Sequence, residues 1–79
     1  MFFFAALILV KLKAGKDKSV LEKFKLIEGI SHVTAVFGRW DLVLDVEAKD
    51  LAELSWLVIS KIRKVAGVET TETLITTSI

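Results

Sequence analysis

An uninterrupted apolar segment, Met1 to Val10, opens the chain and limits what the rest can fold into. The segment is too short to cross a bilayer, which needs about 20 residues, and no positive charge precedes it as a secretory signal would require. Its residues are largely aromatic or branched, and apolar side chains occupy both alternating sets of positions. This pattern predicts a central β-strand over Phe3–Lys13 that is covered on both faces.

Helical spacing of apolar residues predicts a first helix over Lys16–Ile27, after a break at Ala14-Gly15. Its apolar stripe comprises Val20, Leu21, Phe24 and Ile27. Gly29 follows in the position of a left-handed helix cap, where glycine is favoured because it has no Cβ. The first predicted strand is therefore followed by an amphipathic helix.

A second helix is predicted over Leu51–Val65, with Asp50 as its N-cap and Gly67 closing it. The predicted inner face comprises Leu51, Leu54, Val58, Ile62 and Val65. Trp56 and Ile59 fall on a second apolar stripe that points away from this face. They are either scattered surface residues or an indication of contact with another subunit.

The remaining segments have the composition of strands. Ile30–Phe37 and Asp41–Glu47 flank the short loop Gly38-Arg39-Trp40 and predict a hairpin. Val68–Ile79, which is rich in Thr, Ile, Val and Leu, predicts a fourth strand. The element order is therefore βαββαβ, which predicts an α+β chain of the ferredoxin-like kind, with a four-stranded antiparallel sheet and two helices on one face.

The two helices leave one face of the predicted sheet uncovered, although the first strand is apolar on both sides. A 79-residue chain without cysteine has little to reinforce a small core except oligomerisation. Its hydrophobic content of 53% also exceeds the roughly 45–50% of a typical soluble domain. We therefore expect the sheet of a second subunit to pack face to face on the bare side, at a spacing of about 10 Å.

The net charge of +1 provides no broad electrostatic field for nucleic acid or an anionic membrane. Lysines crowd the first third of the chain, but Asp17 and Glu22 interrupt them, which favours a solvated face over a phosphate groove. The sequence contains no cysteine and no metal-ligand cluster, so we expect neither a metal nor a cofactor. The absence of cysteine is compatible with the cytoplasm.

Few residues outside the hairpin indicate a catalytic or metal-binding role. His32 is the only histidine, and neither a catalytic triad nor metal-ligand spacing can be drawn around it. Asp41, Asp45 and Glu47 share one face of a predicted strand. Paired acid–base work is one interpretation of these carboxylates, and solvation at a hairpin edge is the other.

The hairpin at residues 37–42 is the most informative stretch. Gly38 permits a positive φ and close approach of a ligand to backbone N–H groups. Arg39 and Asp41 carry the charges that would bind the carboxylate and the ammonium of a zwitterion, and Trp40 would supply an apolar wall. Gly-X-X-Asp is also the sequence of an ordinary turn, so spacing alone leaves both interpretations open.

Three stretches of the chain, taken in order, carry a family resemblance. They are FGRWDL at residues 37–42 continuing into VEAKDL at 46–51, then IRKVAGV at 62–68, and TETLI at 71–75. Together they closely resemble the effector-binding (RAM) domain of the Lrp/AsnC transcriptional regulators. The resemblance covers essentially the whole chain, residues 1–79, as a single domain.

The resemblance implies a dimer in which two sheets pack face to face, which is a dimeric α/β barrel. It also implies that dimers assemble into octameric or decameric rings and that amino acids bind where dimers meet. It assigns ligand binding to the hairpin residues Gly38, Arg39, Trp40 and Asp41. The Thr-X-Thr of the family maps onto Thr71 and Thr73, whose hydroxyls would complete the ligand's hydrogen bonds. Strand propensity alone would also favour threonine at these two positions.

Regulators of this family carry an N-terminal helix-turn-helix, whereas this chain begins at the first strand. The resemblance therefore implies a stand-alone module that senses amino acids, joins full-length regulators, or does both, without reading DNA itself. Two alternatives stay open. One is a small cofactor-free monooxygenase or isomerase of the dimeric α/β-barrel kind, with Trp40, His32 and a carboxylate lining a closed cavity. The other is an ACT-type regulatory domain, whose sheets pair edge to edge.

Overall fold

The computed structural model describes residues 4–15 and 17–76, which form one antiparallel sheet with two helices. The elements are β1 (Phe4–Leu12), α1 (Asp17–Phe24), β2 (Ile30–Ala35), β3 (Leu42–Ala48), α2 (Leu51–Leu57), a π-helical continuation of α2 (Val58–Ile62), and β4 (Val68–Ile75). The sheet order is β2-β3-β1-β4, and all neighbours are antiparallel. The predicted βαββαβ order and ferredoxin-like class are therefore confirmed.

One face of the sheet and the inner sides of both helices enclose the hydrophobic core. Alternate residues of the two central strands point to this face: Ala6, Ile8, Val10 and Leu12 of β1, and Leu42, Leu44, Val46 and Ala48 of β3. All of them are at most 5% exposed. The helical side covers them with Val20, Phe24, Leu54, Leu57, Val58 and Ile62. Both helices thus lie on the predicted single face.

The opposite face of the sheet, called the open face below, has an apolar centre and a charged periphery. Leu7 and Leu9 of β1 lie opposite Leu74 of β4 and Val43 of β3, respectively. The strand register places charged residues around them, at Lys11, Asp45, Glu47 and Glu72. The first strand is therefore apolar on both faces, as predicted, and within one protomer its open face is only half-buried.

The first helix is shorter than its apolar stripe. After α1 ends at Phe24, the N–H groups of Leu26 and Ile27 bond to carbonyls three residues back, which tightens the chain into turns. The predicted end at Ile27 is wrong, although Ile27 still packs against the core. Gly29 does not cap the helix but lies in the turn into β2, with φ of 102°. A Cβ there would lie 3.2 Å from Leu57 Cδ2, so only glycine fits without displacement.

The second helix changes its hydrogen-bonding pattern midway. The Arg63 N–H bonds to the Val58 carbonyl, five residues back, at 2.9 Å, whereas the sequence predicts a continuous α-helix to Val65. The prediction that Leu51 lies on the inner face of the helix is wrong, because Leu51 is 51% exposed. It is the first residue of α2, and the row that faces the sheet begins one turn later. Leu57, which the prediction omits, is buried in that row.

Asp50 caps α2 as predicted. Its Oδ1 accepts a hydrogen bond from the Glu53 N–H at 2.8 Å, and Glu53 Oε1 accepts one from the Lys49 N–H at 3.0 Å. This reciprocal pattern satisfies a free donor of the first helical turn and another just before the helix, and so fixes where α2 begins.

The strand ends differ slightly from those predicted. β2 ends at Ala35 instead of Phe37, so residues 36–41 form the hairpin loop. β1 ends at Leu12, one residue early, and β4 ends at Ile75. β3 begins at Leu42 and ends at Ala48, each one residue later than predicted. The predicted ends at Phe3, Lys16 and Ile79 lie outside the described residues.

Truncation at the centre of the core should destabilise the protein. Ile8 is fully buried, so we expect Ile8→Ala to lower the free energy of unfolding by about 2–5 kcal/mol. Ile59→Ala, at a position that is 55% exposed, should change it by less than about 0.5 kcal/mol. Urea unfolding at one fixed protomer concentration measures both effects. Similar losses for the two variants would contradict this assignment of the core.

Candidate functional site

The hairpin loop, residues 36–41, has the backbone geometry that its sequence predicts. The Val36 N–H bonds to the Asp41 carbonyl at 3.0 Å, which closes the loop. Gly38 has φ of 146°, in the positive range that side chains disfavour, and a Cβ there would meet open space. Glycine is therefore required at this position by backbone conformation rather than by crowding.

Asp41 ties the hairpin to the end of β1. Its Oδ2 accepts a hydrogen bond from the Leu12 N–H at 2.8 Å and lies 3.7 Å from Lys11 Nζ. The Asp41 N–H also bonds to the Val10 carbonyl at 2.9 Å. The aspartate of Gly-X-X-Asp thus has a structural task, and its Oδ1 has no hydrogen-bond partner within the part of the chain that the structure describes.

The tip of the loop presents the other two predicted ligand residues. Arg39 is exposed, and its guanidinium makes no ion pair with any of the described residues. Trp40 is half-buried. Residues 39–41 therefore offer a cation, an aromatic surface and a carboxylate oxygen that no other described residue binds.

Thr71 and Thr73 lie elsewhere on the sheet. They pair with Val10 and Ile8 in the β1–β4 register, so their side chains share the helix-covered face. With Arg63 they line a shallow, polar hollow of about 380 Å³ beside the π-helical segment. Arg63 was not among the predicted site residues, because only the packing of its helix against β4 brings it near the threonines.

One protomer keeps the six predicted residues in two groups. The hairpin residues and Thr71 are near the same end of the sheet, but β1 lies between them, which separates them by two strand spacings or about 10 Å. The threonines are on the helix-covered face, whereas Asp41 contacts Lys11 of the open face. A small ligand that touched both groups would have to bridge two protomers.

A larger groove, called the helix groove below, lies at the opposite end of the sheet and measures about 900 Å³. It is lined by Leu26, Ile27, Glu28, Gly29, Glu47, Lys49, Asp50, Ala52, Glu53, Trp56, Leu57 and Lys61. Lys61 Nζ lies 5.4 Å from the centre of the Trp56 ring, within cation–π range. The sequence indicates the exposed Trp56 but not the groove, which forms only where α2 meets the turn after α1.

The other polar residues singled out in the sequence do not gather into a site. His32 is exposed and lies opposite Asp45 in the β2–β3 register. No three His, Cys, Asp or Glu side chains among residues 4–15 and 17–76 are grouped so as to hold a metal ion. Nor does that part of the chain contain a helix with the length and apolar character needed to span a membrane.

A family model described as the Lrp/AsnC ligand binding domain matches residues 5–79. This chain belongs to the Lrp/AsnC ligand-binding domain family. The resemblance carried by the hairpin, the end of the second helix and the Thr-X-Thr strand is therefore confirmed, and the match begins within β1 and includes every later element.

Related sequences are mostly regulators that are longer than this chain. An uncharacterized HTH-type transcriptional regulator of Pyrococcus horikoshii is 37% identical over 59 residues, which are 75% of this chain and 39% of the relative. A second regulator of that organism is 34% identical over 74 residues, 94% of this chain and 47% of the relative. The chain thus spans less than half the length of these relatives. A homocitrate synthase of Sulfolobus acidocaldarius is 42% identical over 69 residues, 86% of this chain but 14% of the enzyme.

Solved structures of similar length share the fold. A hypothetical protein from Pyrococcus horikoshii has 32% identity and a TM-score of 0.86, with 96% of this chain and 92% of that chain covered. A Thermus thermophilus protein has 30% identity and a TM-score of 0.90, with 96% and 95% covered. Escherichia coli AsnC, at 22% identity and a TM-score of 0.91, matches 96% of this chain over 52% of its own length and shows the same fold.

Two substitutions distinguish the hydrogen bond that Asp41 accepts from Leu12 from the negative charge of its side chain. Asp41→Ala leaves the part-buried Leu12 N–H without an acceptor, so we expect the free energy of unfolding to fall by about 1–3 kcal/mol. Asp41→Asn keeps an oxygen acceptor and should cost clearly less. Chemical denaturation of both variants measures the difference. Equal losses would show that the hydrogen bond to Leu12 does not stabilise the hairpin.

Proposed function

We propose that this protein is an amino-acid-sensing, oligomeric module that modulates Lrp/AsnC-type transcription regulators without binding DNA itself. The observation that carries the proposal is membership of the Lrp/AsnC ligand-binding domain family over residues 5–79. Regulators dominate the relatives, and a ligand-binding domain in such proteins implies a small-molecule effector. We place the module in the cytoplasm, where such an effector and such regulators would meet.

The hairpin tip supports an amino acid as the effector. A zwitterion needs a donor group for its carboxylate and an acceptor for its ammonium, and charge-assisted hydrogen bonds of both kinds are strong. Arg39 supplies a guanidinium that makes no ion pair among residues 4–15 and 17–76, and Asp41 supplies Oδ1. The half-buried Trp40 would contact the apolar part of the ligand. A structurally similar Neisseria meningitidis regulator, at 18% identity, was solved as a complex with L-Met.

The complete site would lie between subunits. The hairpin residues Gly38, Arg39, Trp40 and Asp41 would come from one protomer, and Thr71 and Thr73 from a neighbour, because within one protomer Asp41 contacts Lys11 of the open face whereas the threonines lie on the helix-covered face. Hydroxyls of the threonines would complete the hydrogen bonds of the ligand. Assembly and ligand binding would then be linked, since a ligand that bridges two protomers stabilises their contact.

The open face would form the primary dimer contact. Its apolar centre, formed by Leu7, Leu9, Val43 and Leu74, matches the interior of a β-sandwich, in which two sheets pack face to face. The surrounding charges would form the polar rim. Dimers paired in this way, as dimeric α/β barrels, would assemble further into an octameric or decameric ring.

The output of the module would be delivered through a partner protein. Two strands separate α1 from α2, so the described residues contain no helix-turn-helix that could place a recognition helix in a DNA groove. The net charge of +1 gives little nonspecific attraction to phosphates. A full-length Lrp/AsnC regulator, whose own ligand-binding domain has this fold, is the partner that could admit this chain into its ring.

Ligand binding is tested by thermal unfolding in the presence of each standard amino acid in turn. A ligand that binds only the folded assembly stabilises it, by about 2.7 kcal/mol at a ligand concentration of 100 times the Kd. Its melting temperature therefore rises. We expect at least one amino acid to raise it, and Asp41→Asn to abolish the shift. Asp17→Asn, a matched change in the first turn of α1, should retain the shift. The proposal fails if no amino acid raises the melting temperature.

The sheet-to-sheet contact is tested by light scattering. The wild-type mass should be well above that of a dimer. Leu9→Glu places a charge at the centre of the open face and should reduce the mass, because an unpaired charge inside an interface is costly. Leu51→Glu, on the exposed side of α2, should leave the mass unchanged. A monomeric wild-type protein, or a Leu9→Glu variant of full mass, would rule out this contact.

A further inference from the structure

Two charged side chains of opposite sign share the polar hollow beside the π-helical segment. Besides Thr71 and Thr73, its lining includes Arg63 and Glu69. Both charged residues are exposed, and neither makes an ion pair, with the other or with any further residue that the structure describes. The hollow therefore offers a guanidinium donor, a carboxylate acceptor and hydroxyls that can donate or accept.

Arg63 reaches the hollow through the π-helical turn. Its N–H bonds to the carbonyl of Val58, five residues back, and both residues line the hollow. In a regular α-helix, residues five apart are rotated from each other by about 140° and face different sides. The wider π turn brings Arg63 into line with Val58 instead, next to β4. Single π turns within helices occur frequently at functional sites.

A second backbone irregularity places Glu69. In the β1–β4 register, Leu12 lies opposite Val68 and Lys11 lies opposite Thr70, which leaves Glu69 without an opposite residue. This is the arrangement of a β-bulge, which bends a strand and redirects a side chain. Each charged residue of the hollow is thus presented by a local departure from regular structure, and departures of both kinds are common beside functional sites.

The opposite charges restrict what the hollow can bind. A carboxylate group would be attracted by Arg63 but repelled by Glu69, and an ammonium group would meet the reverse. An apolar group would displace water from both charges without replacing their hydrogen bonds, which costs free energy. A neutral group that both accepts and donates, such as a hydroxyl or a carboxamide, can satisfy the two residues at once.

We propose that Arg63 and Glu69 select the side chain of the effector, so that amino acids with a hydroxyl or carboxamide side chain bind more tightly than apolar ones of the same shape. This inference rests on the proposed function, in which the hairpin tip binds the charged groups of the zwitterion and the threonines complete the site. Arg63 donates to the side-chain oxygen of the ligand, and Glu69 accepts from its O–H or N–H. A hollow of about 380 Å³ is at the small end of ligand sites, which suits a single amino acid.

Affinities for amino acids of matched shape test this selection. Threonine and valine, asparagine and leucine, and glutamine and methionine are pairs that differ mainly in polarity. Calorimetric titration of the wild-type protein should show at least one polar member binding about tenfold more tightly than its apolar counterpart, the lower limit for a hydrogen bond to a charged group. Arg63→Met keeps the length of the side chain but removes the donor, and should reduce this ratio to about threefold or less. Lys64→Met, an equal loss of charge at an exposed position outside the hollow, should preserve the ratio.

Removal of the negative charge alone provides a second test. Glu69→Gln abolishes the repulsion of a ligand carboxylate while Arg63 remains, so L-glutamate should bind several-fold more tightly to this variant than to the wild-type protein. Glu22→Gln, the same change at an exposed position of α1 outside the hollow, should not alter that affinity. A gain of affinity distinguishes contact with the ligand from a structural role, because a distorted hollow would bind every amino acid less tightly.

The titrations separate failure of this selection from failure of the proposed function. If no standard amino acid binds, the proposed function is overturned and the selection with it. If amino acids bind but the apolar members equal their polar counterparts, only the selection by Arg63 and Glu69 is overturned. The same holds if Arg63→Met keeps the wild-type ratio, or if Glu69→Gln gains no affinity for L-glutamate.

Discussion

Pairing of β1 with a neighbour on each side is the constraint on which the rest of the structure depends. The strand is apolar on both faces, so its own polarity does not specify which residues face the helices, and a shift of one residue would exchange Ile8 with Leu9. β3 resolves this ambiguity, because its buried Leu44 and Val46 alternate with charged positions such as Asp45. Register in the centre of the sheet is thus set by the amphipathic neighbour rather than by the most hydrophobic strand.

Asp41 links that register to the candidate site. Its backbone and one carboxylate oxygen hold the end of β1, while the other oxygen has no hydrogen-bond partner among the described residues. The same residue can therefore serve the hairpin and a ligand, and a ligand that bound there would be held against the central strand.

Segments similar to this domain occur within larger proteins of different kinds. Related segments make up less than half of several HTH-type regulators and 14% of a homocitrate synthase. Structures of similar length and at least 30% identity show that the fold also exists as a chain of about this size. Within one protomer this unit exposes Phe37 and Trp56 and leaves the open face half-buried.

The sequence by itself determined the order of elements, the apolar stripe of α1, the Asp50 cap and the alternation of β3, because each of these arises from local periodicity or from contacts a few residues apart. It also indicated the family through the hairpin and Thr-X-Thr segments. The early end of α1, the π-helical segment and the exchange of Leu51 for Leu57 depended on packing against the sheet. Only the tertiary structure placed Thr71 and Asp41 on different sides of the sheet, joined Asp41 to Leu12, 29 residues away, and opened the helix groove, because these arrangements depend on strand pairing between distant residues.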